Sequence, residues 1–263
     1  MNILYQVRYG KPSNPFHWNV GITVHSKKQN ENKMKIKNLN LNIKKMIKVG
    51  IHFGHKTKKR NPKMAPYILK ERKNSHLLNL NYTTHFLSQA CNFLFDASNK
   101  GKQFMIVGTK NHTTDAAKLA ALAARCHYVN KKWLAGMLTN WFTTETRLNK
   151  FKSLTKQKNM EDRFTKKEAA IFNRDLNKLQ NDLEGIRYMT ELPDIVIILD
   201  QKGEYTAIRE CKRLGIPTIC LVDTDCDPNV VDIPIPANDD GRGPIQLVLN
   251  EFISAIRAGK EKK

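Results

Sequence analysis

The chain has 263 residues, 40% of them hydrophobic, and carries 45 Lys and Arg against 24 Asp and Glu for a formal net charge of +21. That apolar share excludes wholesale disorder, and no apolar run approaches the ~18 residues of a membrane span, so a transmembrane protein is excluded. A surplus this large repels itself unless a polyanion or an anionic surface screens it. The surplus is uneven: residues 1–63 hold 15 basic residues and one acid, Glu31, and residues 64–190 hold 21 against 10. Residues 191–240 reverse the sign with 4 against 11. A one-sided electrostatic footprint, rather than an even solvating coat, is the expectation.

In chain order, residues 1–35 have no periodicity and are broken by Gly10, Pro12, Pro15 and Gly21. The scarcity of Ser and Arg argues against an import peptide, and a basic, disordered N-terminal extension is expected. Residues 83–100 read as a helix with Phe86, Ala90, Phe93 and Ala97 on one face and Gly101 as its stop. The apolar runs 104–107, 127–129, 195–199, 218–222 and 232–235 read as buried parallel strands. Helical patterns lie between or after them at 114–125, at 204–214 (stopped by Gly215) and from Pro244 onward. This alternation with short connections predicts an α/β fold with a parallel sheet.

Residues 140–189 break the alternation. Thr165-Lys166-Lys167-Glu168 is a capping box. Phe172, Leu176, Leu179, Leu183 and Ile186 then follow at heptad spacing, and Leu148, Phe151 and Leu154 offer a facing seam. The spacing predicts a helical hairpin inserted in the sheet domain. The expected organisation is therefore a sheet domain of residues 36–139 and 190–258, a hairpin of residues 140–189 and a basic tail, residues 259–263.

Four local patterns bear on chemistry. Val107-Gly108-Thr109-Lys110 before a helix could hold an anion, yet the chain has neither GxGxxG nor GxxxxGK[ST], so a nucleotide-binding regulator is a weak reading. Asp223-Thr224-Asp225 at a strand end is similar to the nucleophile and general acid of Mg²⁺-dependent phosphohydrolases. Asp227 departs from that pattern, and a polar loop with turn-capping aspartates is the plainer reading. His52-Phe53-Gly54-His55 lacks a third ligand nearby in sequence, so no metal site is assigned, and no cofactor is expected. The five cysteines (Cys91, Cys126, Cys211, Cys220, Cys226) form no CxxC pair and read as free thiols. The fourth pattern is basic clusters with aromatic neighbours. Lys56, Lys58, Lys59, Arg60 and Lys63 precede Tyr67, and Lys131 and Lys132 precede Trp133. Lysines and arginines displace the counterions of a phosphate chain, and these eight residues, Trp133 included, are the candidate RNA-binding set.

Gly50-Ile51-His52-Phe53-Gly54-His55, with Asn61-Pro62-Lys63-Met64-Ala65-Pro66-Tyr67-Ile68, resembles the signature of the small-subunit ribosomal protein S2 family. So do the blocks FMIVGTK (104–110), RCHYVNKKWLAGMLTN (125–140), LPDIVIILD (192–200), GIPTICLVDTDCD (215–227) and IPIPANDD (233–240). The wording is most similar to the chloroplast-encoded branch. The resemblance implies a flavodoxin-like five-stranded parallel sheet with helices on both faces and a protruding coiled-coil hairpin. It also implies a non-catalytic constituent of the small subunit in the plastid stroma. Such a protein binds small-subunit rRNA and neighbouring ribosomal proteins where head meets body, with no membrane and no small-molecule substrate. The segment before Gly50 departs from the family pattern, carrying Lys44, Lys45 and Lys48 where acids are usual.

Overall fold

In the computed structural model, the described residues are 43–157 and 165–261. The expected extension, residues 1–35, and the turn of the hairpin at residues 158–164 lie outside them, as do residues 262 and 263. Two sheets organise the rest. The larger has five parallel strands, β4 (Phe104–Val107), β5 (His127–Val129), β6 (Ile195–Ile198), β7 (Thr218–Val222) and β8 (Ile233–Pro236), in the order β5-β4-β6-β7-β8. This is the flavodoxin-type order, with its topological switch between β4 and β6. The smaller sheet is antiparallel, with order β1-β3-β2, and is built from β1 (Phe53–Lys56), β2 (Ile68–Arg72) and β3 (Ser75–Leu78).

The period-2 geometry of a strand divides the parallel sheet's side chains between two cores. Phe104, Ile106, Ile195, Ile197, Ile219 and Leu221 point to one face. There they meet α1 (Ile43–Val49), α2 (Leu80–Asn99), α3 (Thr114–Ala124) and α7 (Arg242–Glu261). Met105, Val107, Val196, Ile198, Cys220 and Val222 point to the other. The core on that side also takes in residues of α6 (Tyr205–Leu214) and of the paired α4 (Trp141–Gln157) and α5 (Lys166–Leu183). Strands buried on both faces read as unbroken apolar runs, which is why the three central strands β4, β6 and β7 were recognisable in the sequence.

Helices α4 and α5 lie between β5 and β6 in the chain and bury Leu148, Phe151, Leu176 and Leu183 in the second core. The capping box at the start of α5 is present: Glu168 N–H donates to Thr165 Oγ1, and Thr165 N–H donates to Glu168 Oε2. The last helix runs to Glu261, through the start of the expected basic tail. Gly259 allows this, because a Cβ there would lie 2.7 Å from Phe95 O and 2.7 Å from Ser98 Cβ of α2. Ser98 Oγ donates to Ile256 O at 2.7 Å across the same seam. Gly259→Ala is expected to push α7 off α2 and cost about 1–3 kcal/mol, as overpacking does. Urea unfolding would register it as a lower midpoint.

Candidate functional site

The carboxyl ends of the parallel strands are where an open α/β sheet places its functional groups. Here they are capped by the front of the described chain. Asn238 N–H donates to Ile51 O at 3.0 Å, and Asn61 N–H donates to Thr224 O at 2.9 Å. His55 N–H donates to Thr224 Oγ1 at 3.0 Å. Gly54 has to be glycine for this docking, since a Cβ would intrude on Thr224 Cγ2 and Oγ1. The smaller sheet is thereby fastened to the end of β7. From it springs the segment carrying Lys56, Lys58, Lys59, Arg60 and Lys63, all exposed.

Beneath this cap lies a polar cluster that the sequence did not reveal. His55 Nδ1 is 3.0 Å from Asp223 Oδ2, and its Nε2 is 3.2 Å from Asp240 Oδ2 and 3.7 Å from Asp225 Oδ2. The bond to Asp223 raises the His55 pKa to about 9 in spite of partial burial. Lys110 Nζ sits 3.3 Å from Asp200, 3.5 Å from Asp239 and 3.5 Å from Asp240. Burial opposes its charge, but Asp239 and Asp200 outweigh burial and hold the ammonium firmly protonated. Burial, with Asp223 beside it, pushes the Asp239 carboxyl well above the usual range. Lys202 Nζ holds Asp225 at 2.6 Å.

These contacts dispose of two sequence-level readings. Lys110, the one cation of the Gly108–Asn111 turn, is committed to carboxylates, so that turn is no anion cradle. Asp223 is 1% exposed and faces His55, while Asp225 is tied to Lys202. Neither is free to attack a phosphoester. Asp227 behaves as the turn-capping reading expects, accepting from Asn229 N–H at 3.0 Å and from Lys63 Nζ at 2.6 Å.

The second basic segment is organised by one buried carboxylate. Glu210 of α6 accepts from Trp133 Nε1 (3.0 Å) and Gly136 N (2.8 Å) on Oε1. On Oε2 it accepts from Leu138 N (3.0 Å), Thr139 N (3.2 Å) and Thr139 Oγ1 (3.2 Å). Burial pushes its pKa up, but these donors outweigh burial and hold it below the usual carboxylate value. Lys131 and Lys132 are exposed at the rim of this loop. Trp133 differs from a stacking platform: its ring is 8% exposed and belongs to the second core. Its place in the chain gave no hint of this, because the partner lies 77 residues away.

The surplus charge is also allocated unevenly. Arg257 and Lys260 donate to the carbonyls of Ala123, Ala124 and Arg125 at the end of α3, where a helix C-terminus favours cations. Among the described residues, by contrast, Lys56, Lys58, Lys59, Arg60, Lys131 and Lys132 form no ion pair with a carboxylate.

Glu210→Ala would orphan the donors it now satisfies and is expected to cost about 3–5 kcal/mol, as breaking buried charged networks does. Because the folded pKa of Glu210 is depressed, the stability it contributes is present above its unfolded value of about 4.3 and fades as pH falls through the lower folded value. Urea midpoints followed downward from about pH 6 should therefore fall more for the natural chain than for the variant.

The comparison with known families closes the identification. Among the described residues no helix is long and apolar enough to cross a membrane, and the parallel sheet with helices on both faces fits the fold expected from the sequence blocks. The family model for Ribosomal protein S2 matches residues 46–259, which takes in both sheets and all helices from α2 to α6. The chain therefore belongs to the ribosomal protein S2 family, whose members are structural constituents of the small ribosomal subunit.

Proposed function

We propose that the chain binds small-subunit rRNA through Lys56, Lys58, Lys59, Arg60, Lys63, Lys131 and Lys132. Trp133 acts from within, as the anchor of the second loop. The observation that carries this reading is the set of exposed cations, all but Lys63 without a carboxylate partner among the described residues, held on segments that are rigidly fastened underneath. A polyphosphate gains most from such an array, because the protein has already met the cost of ordering it. Recognition works through phosphate geometry and shape, since the narrow major groove of folded RNA hides its base edges.

In this reading the protein sits where head meets body of a plastid small subunit and keeps two rRNA domains in register. Neighbouring ribosomal proteins dock on the acidic 191–240 side or on a hairpin of α4 and α5, which we propose to be a coiled coil protruding from the sheet domain. The heptad spacing and the burial of Leu148, Phe151, Leu176 and Leu183 support that hairpin.

Two measurements test the proposal. Neutralising Lys56, Lys58, Lys59 and Arg60 together is expected to flatten the dependence of log binding constant on log salt by ~0.7–0.9 per lost phosphate contact. An unchanged slope would assign these side chains to solvent. On a density gradient of extract from purified chloroplasts, the chain is expected to travel with small subunits. Its recovery only among free proteins would overturn the assignment.

A further inference from the structure

The cluster under the cap has a feature that ion pairing leaves unexplained. Asp223 and Asp239 are 1% and 2% exposed. Among the described residues Asp239 Oδ1 receives no hydrogen bond, and Asp223 Oδ2 meets His55 Nδ1 at 3.0 Å but no well-aligned donor. A buried carboxylate oxygen without a donor carries the full penalty of its lost hydration. Around these two stand Asp200, Asp225 and Asp240, while Lys110 and Lys202 are the lysines that reach the group. Even with the Asp239 carboxyl protonated, four carboxylates against two ammonium groups leave a deficit that one imidazolium does not close.

One donor atom from each of His55, Asp223 and Asp239 lies within 4.8 Å of the other two. The geometry points to a divalent metal site at His55, Asp223 and Asp239, with Zn²⁺ as the cation its donors suit best. One imidazole and two carboxylates form a mixed N/O set typical of Zn²⁺, whereas Mg²⁺ and Ca²⁺ favour oxygen alone. Zn²⁺ with ligands at about 2.0–2.1 Å requires donors roughly 3.3 Å apart, so side-chain rotations closing at most about 1.5 Å complete the site. The surroundings already supply outer support. Asp240 Oδ2, 3.2 Å from His55 Nε2, is placed to fix the ring while Nδ1 faces Asp223. His112 Nε2 contacts Asp239 O at 2.7 Å, and Lys110 takes up part of the remaining carboxylate charge. The role is structural. The metal ties the cap at His55 to the ends of β7 and β8, directly below the lysine-rich segment. The site rests on these contacts alone and stands or falls apart from RNA binding.

The test uses the full-length protein stripped with EDTA. Titration with ZnCl₂ is expected to show one saturable equivalent per chain and a rise in melting temperature. His55→Ala and Asp239→Asn should each weaken Zn²⁺ binding by at least the ~10–100-fold that losing an outer-shell partner costs. Titration with Co²⁺ should give ligand-field bands without thiolate-to-cobalt charge transfer, which excludes the five cysteines as ligands. That spectrum, taken on the unaltered chain, decides the ligand type even if a variant fails to fold. Absence of saturable binding would leave the cluster to His55, Lys110 and Lys202 and overturn the site. Equal affinity in both folded variants, or thiolate charge transfer, would overturn it as well.

Discussion

The docking of the segment around His55 on Thr224 is the contact on which the rest of the functional surface depends. Its two hydrogen bonds, one to the Thr224 carbonyl and one to its hydroxyl, join parts of the chain more than 160 residues apart. Short polar contacts of this kind contribute little net stability in water. Here they are sheltered by Gly54, which brings the two backbones together without an intervening side chain. A loop carrying four cations in five residues would otherwise repel itself into an open, mobile conformation. Fastened at Asn61 and His55, it becomes part of a rigid body.

The same division of labour recurs at the second basic loop. Glu210 spends a buried negative charge on holding backbone N–H groups from Gly136 to Thr139, and the lysines at the rim stay outside. Buried acids and exposed cations in this protein therefore divide the work. The acids of the strand ends and of α6 work inward as anchors, and the cations outside them remain available. The buried acids of residues 191–240, Asp200, Glu204, Glu210, Asp223 and Asp239, are in this sense an internal scaffold, while Glu191, Asp232 and Asp240 stay at the surface.

How much of this was readable beforehand follows from residue patterns. The three central parallel strands were, because strands buried on both faces carry runs such as Ile195-Val196-Ile197-Ile198 that no surface segment would. The antiparallel sheet was not. Phe53-Gly54-His55-Lys56 and Ile68-Leu69-Lys70-Glu71-Arg72 bury few side chains, so neither shows the alternation that marks a half-buried strand. His55 and the aspartates of 223–227 were each visible as polar motifs, but each was weighed within its own stretch, and only the tertiary fold brings them together. Glu210 was less visible still. It sits in an ordinary helical pattern, and most of its donors are backbone amides, which leave no trace in residue type.

The last helix has a consequence for biogenesis. Ile245, Val248, Phe252 and Ile256 of α7 form much of the lining against α2 and α3, so this side of the parallel sheet is only partly covered until α7 is made. A nascent chain halted anywhere before residue 245 would leave the apolar faces of α2 and α3 that meet α7 open to solvent, an adhesive surface that invites aggregation or chaperone capture. Closure of this core therefore waits on α7, the last described element of the chain.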